Sequence, residues 1–264
     1  MLEHPVYKAL YDNIQSVGHC LCVGLDPDIS KLPEKYEQNC DGVEHFLKDI
    51  IDASHDSVIA YKPNISFFEA LGIPGLKVLE KVCEHIPDSV PTILDAKRGD
   101  IGNTAVMQAK YIFDYFKSDA ITVSPYMGED SVEPFLAYKD KLVFVLALTS
   151  NHGANDFERQ MLQKGVPVYL SVIETVSKWA EESKNLGFVV GATQSELQTI
   201  RSYSEYLFLI PGVGQQGGSY QHAMKGADKN GVCVINVSRS VLYGHSQSQP
   251  LKLAVSEVIQ STIK

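Results

Sequence analysis

Short apolar runs alternate with helical patterns along the chain, and this alternation constrains the fold more than any other feature. The runs end in polar, glycine or proline residues, and we interpret them as eight strands: Cys20–Leu25, Val58–Tyr61, Thr92–Leu94, Ala120–Val123, Leu142–Leu148, Phe188–Gly191, Tyr206–Ile210 and Val232–Val237. The helical patterns are Val43–Ala53, Gly75–His85, Asn103–Phe116, Val168–Lys184, Gln194–Ser202, Gln221–Lys229 and Leu251–Ile259.

Alternating strands and helices form parallel βαβ units, and strands that are apolar on both faces fit a sheet covered by helices. Eight such units in 264 residues match a closed (β/α)8 barrel. Because no proline- or glycine-rich linker divides the chain, the sequence predicts an α/β fold with a single TIM barrel domain over residues 1–264.

Composition excludes several classes of partner. The chain has 23 basic and 32 acidic residues and a net charge of −9, which argues against binding nucleic acid or an anionic membrane. No apolar run reaches the roughly 20 residues that span a bilayer, and the N-terminus does not resemble a signal peptide. Five cysteines at scattered spacing, without a CxxC pair, indicate reduced core thiols in a cytoplasmic protein and no metal site.

A barrel carries its chemistry at the carboxyl ends of its strands, and charged residues stand at several of these ends. The strongest signal is Thr92-Ile-Leu-Asp-Ala-Lys-Arg-Gly-Asp-Ile-Gly-Asn-Thr104, where an apolar strand runs into alternating charge. Asp95 and Lys97 are two residues apart and should share one face of the strand. Inside a barrel this ion pair would be costly to bury, so stability alone would not explain it. The alternative is an exposed pair at a surface strand end. Asp26 and Lys62 end the first two strands in the same manner, each directly before a proline.

A glycine-rich loop, Pro211-Gly-Val-Gly-Gln-Gln-Gly-Gly218, follows the seventh strand, and Arg239 follows the eighth. Barrels commonly hold a phosphate group between these two loops, where backbone N–H groups and a guanidinium can surround it. The spacing Gly212-x-Gly214-x-x-Gly217 also matches the dinucleotide-binding fingerprint, with Arg239 as a candidate for the 2′-phosphate of NADP. That reading requires further strands, and only 25 residues follow Arg239.

The segment that begins at Ser150 separates the fifth strand from the next helix by an unusually long stretch. It contains Gly153 and Gly165 as possible hinges, which is typical of a lid that closes over a ligand. His152 is either a general base or a residue of the lid, and the lack of a nucleophile near it in sequence favours the second interpretation.

Taken together, these residues resemble the orotidine 5′-phosphate decarboxylase family. The family pattern D-x-K-x-x-D-x-x-x-T is matched by Asp95, Lys97, Asp100 and Thr104. The other matches occur in family order: Asp26, Lys62, Ser150, the loop P-G-V-G-x-Q-G-G and Arg239. The resemblance covers about residues 20–245. The wording D-A-K-R-G-D-I-G-N-T and the long segment after Ser150 are similar to the longer bacterial-type branch.

The resemblance implies decarboxylation of orotidine 5′-phosphate to UMP, the last step of de novo pyrimidine nucleotide synthesis, without a metal or other cofactor. In that reading Lys97 protonates C6 of the pyrimidine. Asp95 lies beside the substrate carboxylate, and Asp95 and Lys97 form a network with Lys62 and Asp100. Loss of CO2 leaves a carbanion that a fixed ammonium group can stabilise and then protonate.

The resemblance also assigns the substrate contacts. Asp26 and Lys62 bind the ribose hydroxyls. Ser150 and Gln216 contact the pyrimidine edge and span to the phosphate, which is held by Gly217, Gly218 and Arg239. Asp100 and Thr104 would reach into the neighbouring subunit's site, which implies a homodimer.

Three alternatives remain at the level of sequence. Sugar-phosphate decarboxylases and hexulose-phosphate synthases share the strand-three motif and use Mg2+, but they are expected to carry an acidic ligand after strand two, where this chain has Lys62. A Schiff-base aldolase could use Lys62 or Lys97. A catalytically silent nucleotide-binding barrel would be indicated by the loss of Lys97 or Asp95, and both are present.

Overall fold

The eight strands of the protein form one parallel sheet that closes into a barrel. The structure is a computed structural model that describes residues 2–181, 183–191, 197–213, 219–245 and 248–264. Within these residues the strands are β1 Leu21–Leu25, β2 Ala60–Pro63, β3 Ile93–Arg98, β4 Ala120–Val123, β5 Leu142–Leu148, β6 Leu186–Val190, β7 Leu207–Ile210 and β8 Val234–Val237. Their order in the sheet is β2-β1-β8-β7-β6-β5-β4-β3. The predicted (β/α)8 barrel is confirmed.

The barrel closes between β2 and β3 through isolated contacts instead of a continuous ladder. Tyr61 bridges Thr92, and Asn64 bridges Asp95, in parallel orientation. The N–H of Tyr61 donates to the carbonyl of Pro91 at 3.0 Å. Backbone hydrogen bonding between β2 and β3 is therefore sparse in the described residues, and side-chain contacts contribute to the closure of the barrel there.

Helices cover the outside of the sheet, as expected for strands that are apolar on both faces. Among the described residues the helices are α1 Pro5–Val17, α2 Cys40–Ser54, α3 Ile65–Glu69, α4 Gly72–His85, α5 Gly102–Lys110, α6 Glu133–Leu136, α7 Val168–Trp179, α8 Leu197–Tyr203, α9 Tyr220–Ala223, α10 Arg239–Tyr243 and α11 Leu251–Ile263. A π-helical turn, Tyr111–Tyr115, continues α5, so the predicted helix over 103–116 is present in two parts. None of the helices in the described ranges is long and apolar enough to cross a bilayer.

Two predicted helices are shorter in the structure. The helix that begins at Val168 ends at Trp179 and not at Lys184. The helix predicted over 221–229 is one turn of α-helix, α9, followed by a 3-10 turn that ends at Gly226. A Cβ on Gly226 would lie 2.6 Å from Ile210 Cδ1, so this turn packs closely against β7 and a larger residue would displace the end of the Ile210 side chain.

Helix α1 lies outside the βα alternation and covers the amino-terminal ends of the strands. Asn13 Nδ2 donates to the carbonyls of Ile59 at 3.3 Å and Ser89 at 3.0 Å, which precede β2 and β3. The Tyr7 hydroxyl donates to Asp228, which precedes β8. Helix α1 therefore closes the amino-terminal end of the barrel. The predicted catalytic residues lie at the opposite end, where the strands have their carboxyl ends.

One partly buried guanidinium, that of Arg201, joins several loops near the outer wall. Arg201 donates through Nη1 to the carbonyls of Ser204 at 2.9 Å and Tyr206 at 2.7 Å, and through Nη2 to the carbonyl of Gly226 at 2.5 Å. Its guanidinium carbon lies 3.5 Å from the centroid of the Phe208 ring. Burial lowers the pKa of Arg201 to about 10.

The five cysteines are free thiols. Cys20 and Cys22 are buried, as predicted from their position in an apolar strand, and so is Cys233.

Candidate active site

A pocket of about 410 Å³ opens at the carboxyl ends of the strands, within the size range of small-molecule sites. Its lining comes from β2, β3 and β8 and from the segments that follow β1, β2, β7 and β8. Four predicted site residues are among these lining residues: Asp26, Lys62, Asp95 and Arg239. The position of the pocket matches the barrel rule that placed the chemistry at this face.

An ion network reaches this pocket through Lys62 and Asp95, and its third member, Lys97, is not among the lining residues. The Asp95 carboxylate lies between two ammonium groups, with Oδ2 2.7 Å from Lys62 Nζ and Oδ1 2.6 Å from Lys97 Nζ. The side chain of Lys62 is 5% exposed and that of Asp95 is 10% exposed, whereas that of Lys97 is 48% exposed. The alternative of a fully exposed surface pair is wrong for Asp95. Lys62 is the buried counterion, and Lys97 is the cation that solvent or a ligand can reach.

The network holds its buried members in their charged forms. Burial by itself raises the pKa of Asp95, but the positive charges of Lys62 and Lys97 outweigh this effect and hold that pKa well below its usual range. Burial likewise lowers the pKa of Lys62, but the negative charges of Asp95 and Asp26 outweigh it and hold the pKa above the usual range for lysine. The site therefore keeps fixed charges across the neutral pH range.

A wide bulge in β3 sets the direction of Lys97. Leu94 pairs with Ile121 and Arg98 pairs with Val123, so the three residues between them on β3 face the single residue Thr122 on β4. Lys97 adopts a left-handed backbone with φ of 44°, which is uncommon for a residue other than glycine. Asp95 and Lys97 do meet as predicted, but through this bulge and not through the regular pleat of a strand.

Thr122 is a site residue that the sequence analysis missed. Its Oγ1 accepts hydrogen bonds from the backbone N–H groups of Ala96 at 3.1 Å and Lys97 at 3.0 Å. The same hydroxyl donates to Asp95 Oδ1 at 2.8 Å. The available signal was a lone hydroxyl in the otherwise apolar run Ala120–Val123.

Among the residues that the structure describes, three polar atoms of pocket-lining residues are buried without a hydrogen-bond partner: Asp26 Oδ1, Asn236 Oδ1 and Ser238 Oγ. Each such group costs roughly 1–3 kcal/mol when left unpaired, which a bound ligand with hydroxyl groups would offset. Gly24 lies against two of these residues, because a Cβ there would be 2.8 Å from Ser238 Cβ and 3.2 Å from the Asn236 amide. Asn236 was not predicted as a site residue, although a polar side chain in the middle of the run Val232–Val237 was a usable signal.

The described residues contain part of the predicted phosphate site. Arg239 begins α10 directly after β8 and lines the pocket together with Pro211, Gly212 and Val213. Gly212 has φ of 94°, so its backbone needs the freedom of glycine. The predicted contacts Gln216, Gly217 and Gly218 lie outside the described residues. The dinucleotide alternative is excluded by the fold, because the glycine loop belongs to the seventh strand of a barrel and only β8 follows it in the part described.

Ser150 stands at the end of β5, apart from the pocket lining. It packs against Gly191 at the end of β6, where a Cβ would lie 2.9 Å from Ser150 Cβ. The preceding Thr149 is bound by Glu158 from the long segment: the N–H of Thr149 donates to Oε2 at 2.6 Å and its hydroxyl to Oε1 at 2.8 Å. This segment is thereby attached to the strand end beside Ser150.

The long segment itself contains regular structure. A 3-10 turn begins at His152, which is exposed, and Met161 bridges Pro167 in antiparallel orientation. Phe157 and Met161 expose 68% and 63% of their surface. These exposed apolar side chains are suited to cover a ligand, and the lid stays a prediction.

Asp100 and Thr104 stand apart from the ion network of their own chain. Asp100 Oδ1 accepts a hydrogen bond from the N–H of Ile101 at 2.8 Å, and Thr104 is exposed on α5. Within the described residues no ion pair joins Asp100 to Lys62 or Lys97, so its predicted part in the network is not formed inside one chain.

The fold and the pocket define a barrel enzyme whose site is built on a buried network of lysines and carboxylates. Comparisons with known proteins give the family. The model of the orotidine 5′-phosphate decarboxylase / HUMPS family matches residues 19–251. The orotidine 5′-phosphate decarboxylase of Christiangramia forsetii is 49% identical over 254 residues, which cover 94% of this chain and 92% of that protein. That of Herpetosiphon aurantiacus is 46% identical over 230 residues, 86% of this chain and 85% of that protein. This chain therefore belongs to the orotidine 5′-phosphate decarboxylase / HUMPS family.

Solved structures agree with this assignment. The OMP decarboxylase of Leishmania donovani superimposes with a TM-score of 0.84 at 34% identity, covering 98% of this chain and 97% of that one. The UMP synthase of the same organism superimposes with a TM-score of 0.86 at 36% identity, covering 97% of this chain but 55% of that longer one.

Proposed function

We propose that this chain decarboxylates orotidine 5′-phosphate with Lys97 as the acid that protonates C6 of the pyrimidine. The reaction, orotidine 5′-phosphate to UMP in pyrimidine biosynthesis, is that of its family and of relatives that are 42–49% identical. The observation that supports the role of Lys97 most directly is the contrast in exposure. Lys97 is the half-exposed ammonium of the network, while Lys62 and Asp95 are buried beneath it.

The charges of the site suit the proposed chemistry. Loss of CO2 leaves an electron pair on C6, and a fixed ammonium at Lys97 lowers the energy of that developing charge before it transfers its proton. Asp95 stays ionised because of its two lysine neighbours. A carboxylate beside the departing carboxylate of the substrate favours its loss as neutral CO2, and it also holds Lys97 in place.

We assign the parts of the substrate to different groups of residues. We assign the ribose hydroxyls to Asp26 and Lys62, and we add Asn236, because hydroxyl donors would satisfy the unpaired oxygens of Asp26 and Asn236. We assign the phosphate to Arg239 and to the loop with Gln216, Gly217 and Gly218. We assign the pyrimidine edge to Ser150 and Gln216, with the segment after Ser150 closing over the ring.

A homodimer would complete the site. Asp100 and Thr104 lie next to exposed apolar side chains on the same stretch of chain, with Ile101 55% and Met107 49% exposed. Covering this surface with a second copy would remove apolar area from water and bring Asp100 and Thr104 to the partner's pocket. We further propose that residues 1–264 act as one barrel domain in the cytoplasm, where the five free thiols would stay reduced.

The test is a direct assay of orotidine 5′-phosphate with the purified protein in EDTA, followed by the loss of its ultraviolet absorbance and by the appearance of UMP. The wild type should convert the substrate, and Lys97→Ala should lose at least a thousandfold in kcat, in the upper part of the range for a general acid. Lys8→Ala is the matched control, because Lys8 is an exposed lysine that pairs with Asp12 far from the pocket.

Three results would contradict the proposal. Turnover of Lys97→Ala within tenfold of the wild type would remove Lys97 from its role. Absence of turnover in EDTA with recovery on Mg2+ would move the chain to the metal-dependent branch of the family. Binding of UMP without turnover under either condition would indicate a silent nucleotide-binding barrel.

A further inference from the structure

We propose that Thr122 is a positioning residue for the decarboxylation, one that fixes both the direction of Lys97 and the orientation of Asp95. This inference rests on the proposed function, since it concerns the same two groups. Thr122 lies on β4, and it is buried with 1% of its surface exposed. Its hydroxyl contacts the network through Asp95, and Thr122 is not among the residues that line the pocket.

The bonding capacity of this hydroxyl is used completely. A threonine hydroxyl has one hydrogen to donate and two lone pairs that accept. In Thr122 the lone pairs accept from the N–H groups of Ala96 and Lys97, so the single hydrogen is directed to Asp95 Oδ1. The donor and the acceptor are therefore fixed in each of the three hydrogen bonds. The hydroxyl donates to Asp95, and this hydrogen bond favours the ionised form of that carboxylate.

These bonds hold a backbone that would not persist without support. The bulge places three residues of β3 opposite one residue of β4, and the N–H groups inside it have lost their regular partners on the neighbouring strand. Lys97 is also held at a φ of 44°, a conformation that needs surrounding structure to maintain it. Oγ1 of Thr122 accepts from these N–H groups in place of the backbone carbonyls that a regular neighbouring strand would provide. It therefore sets the direction in which the Lys97 side chain points away from β3.

The effect should appear in the chemical step more than in binding. Thr122 acts on Asp95 and Lys97, whereas Arg239 and Asn236, at the phosphate and ribose ends of the pocket, have no bond to it. A displacement of the proton donor by a fraction of an ångström lowers the rate strongly, because proton transfer requires close geometry. The lost donor would also make the charged form of Asp95 less favourable, which raises its pKa.

The experiment compares Thr122→Val, which keeps the shape and removes the hydroxyl, with Thr122→Ser, which keeps the hydroxyl. We expect Thr122→Val to lower kcat by about 10- to 100-fold with KM within threefold of the wild type, and Thr122→Ser to stay within threefold in both. The acid limb of the kcat profile should move to higher pH in Thr122→Val alone. Thr92→Val is the matched control, because Thr92 is a buried threonine at the other end of β3, three residues before Asp95.

Each outcome decides the question. Wild-type kcat and pH profile in a folded Thr122→Val would overturn the positioning role, and so would equal losses in the valine and serine variants. If Thr122→Val does not fold, Thr122→Ala serves as the hydroxyl-free variant under the same criteria. A wild-type chain without decarboxylase activity would instead overturn the proposed function and this inference with it.

Discussion

Neutralising Asp95 should destabilise the protein more than removing either of its lysine partners. Asp95→Asn leaves Lys62 buried, with a side chain only 5% exposed, and its nearest counterion, at 2.7 Å, is gone. Asp26 remains as a more distant negative charge. Breaking one side of a buried ion pair costs about 3–5 kcal/mol. For a chain of this size such a loss lowers Tm by roughly 10 °C.

The two lysine substitutions should lower the free energy of unfolding by less than Asp95→Asn does, for different reasons. Lys62→Met removes a buried charge and leaves Asp95 with Lys97 at 2.6 Å and the Thr122 hydroxyl at 2.8 Å, so we expect a loss of about 1–2 kcal/mol. Lys97→Met removes a side chain that is half exposed, so its effect on the free energy of unfolding should stay below about 1 kcal/mol. The activity ranking differs, because Lys97→Met should abolish turnover.

Equilibrium urea unfolding at one fixed protein concentration measures these differences, since a dimer would make the midpoint depend on concentration. Asp12→Asn, in the exposed pair with Lys8, serves as the control and should change the free energy of unfolding by less than about 0.5 kcal/mol. The folded-state pKa is lowered for Asp95 and raised for Lys62. Stabilisation by the pair is therefore present above about pH 4 and below about pH 10, and the ranking should hold throughout that window. A loss for Asp95→Asn equal to or smaller than that for Lys97→Met would refute the reasoning.

Three further predictions concern other parts of the chain. Arg201→Met should lower the free energy of unfolding by about 3 kcal/mol, because three backbone carbonyls lose their hydrogen-bond donor at once. Urea unfolding would measure this loss, with Lys229→Met, a substitution of an exposed lysine, as the control. Burial lowers the pKa of His19, so the unfolded chain binds a proton at this residue more readily than the folded chain does. The free energy of unfolding should therefore fall as the pH drops below about 6.5. This pH dependence should be weaker in His19→Gln than in the wild type. Asn236→Leu should raise KM for orotidine 5′-phosphate about tenfold with little change in kcat; an unchanged KM would remove Asn236 from the ribose site.

Much of the architecture could be predicted from the sequence because it depends on local patterns. The strands Ala120–Val123 and Leu142–Leu148 have the predicted bounds to the residue, since continuous apolar runs bounded by turn residues are typical of buried parallel strands. Helix α1 was not predicted. Its N-cap is the imidazole of His4, which accepts from the N–H of Tyr7 at 3.5 Å, and histidine is not among the usual capping residues.

In the candidate site, too, local sequence patterns predicted some residues, and others could be identified only from the three-dimensional structure. Charged residues at strand ends predicted Asp26, Lys62, Asp95 and Lys97, because each stands out against an apolar run. Thr122 could not be assigned a role in this way: its partners lie about 25 residues away on β3, and they face it only because that strand bulges. Asp100 and Thr104 stand apart from the ion network of their own chain, and their proposed role requires a second copy of the chain.

The sparse joint between β2 and β3 has a consequence for how this protein can be engineered. Lys62 is on β2 and Asp95 is on β3, so the buried ion pair crosses the joint where the backbone ladder is interrupted. Replacing a buried ion pair by apolar residues of similar volume is a common route to a more heat-resistant protein. Under the proposed function this route would cost activity, because Asp95 holds the ammonium group of Lys97 and Lys62 is the buried counterion of Asp95. Selection for thermal resistance with activity retained should therefore leave these two positions unchanged and accumulate its substitutions elsewhere, at helix ends and on the outer surface.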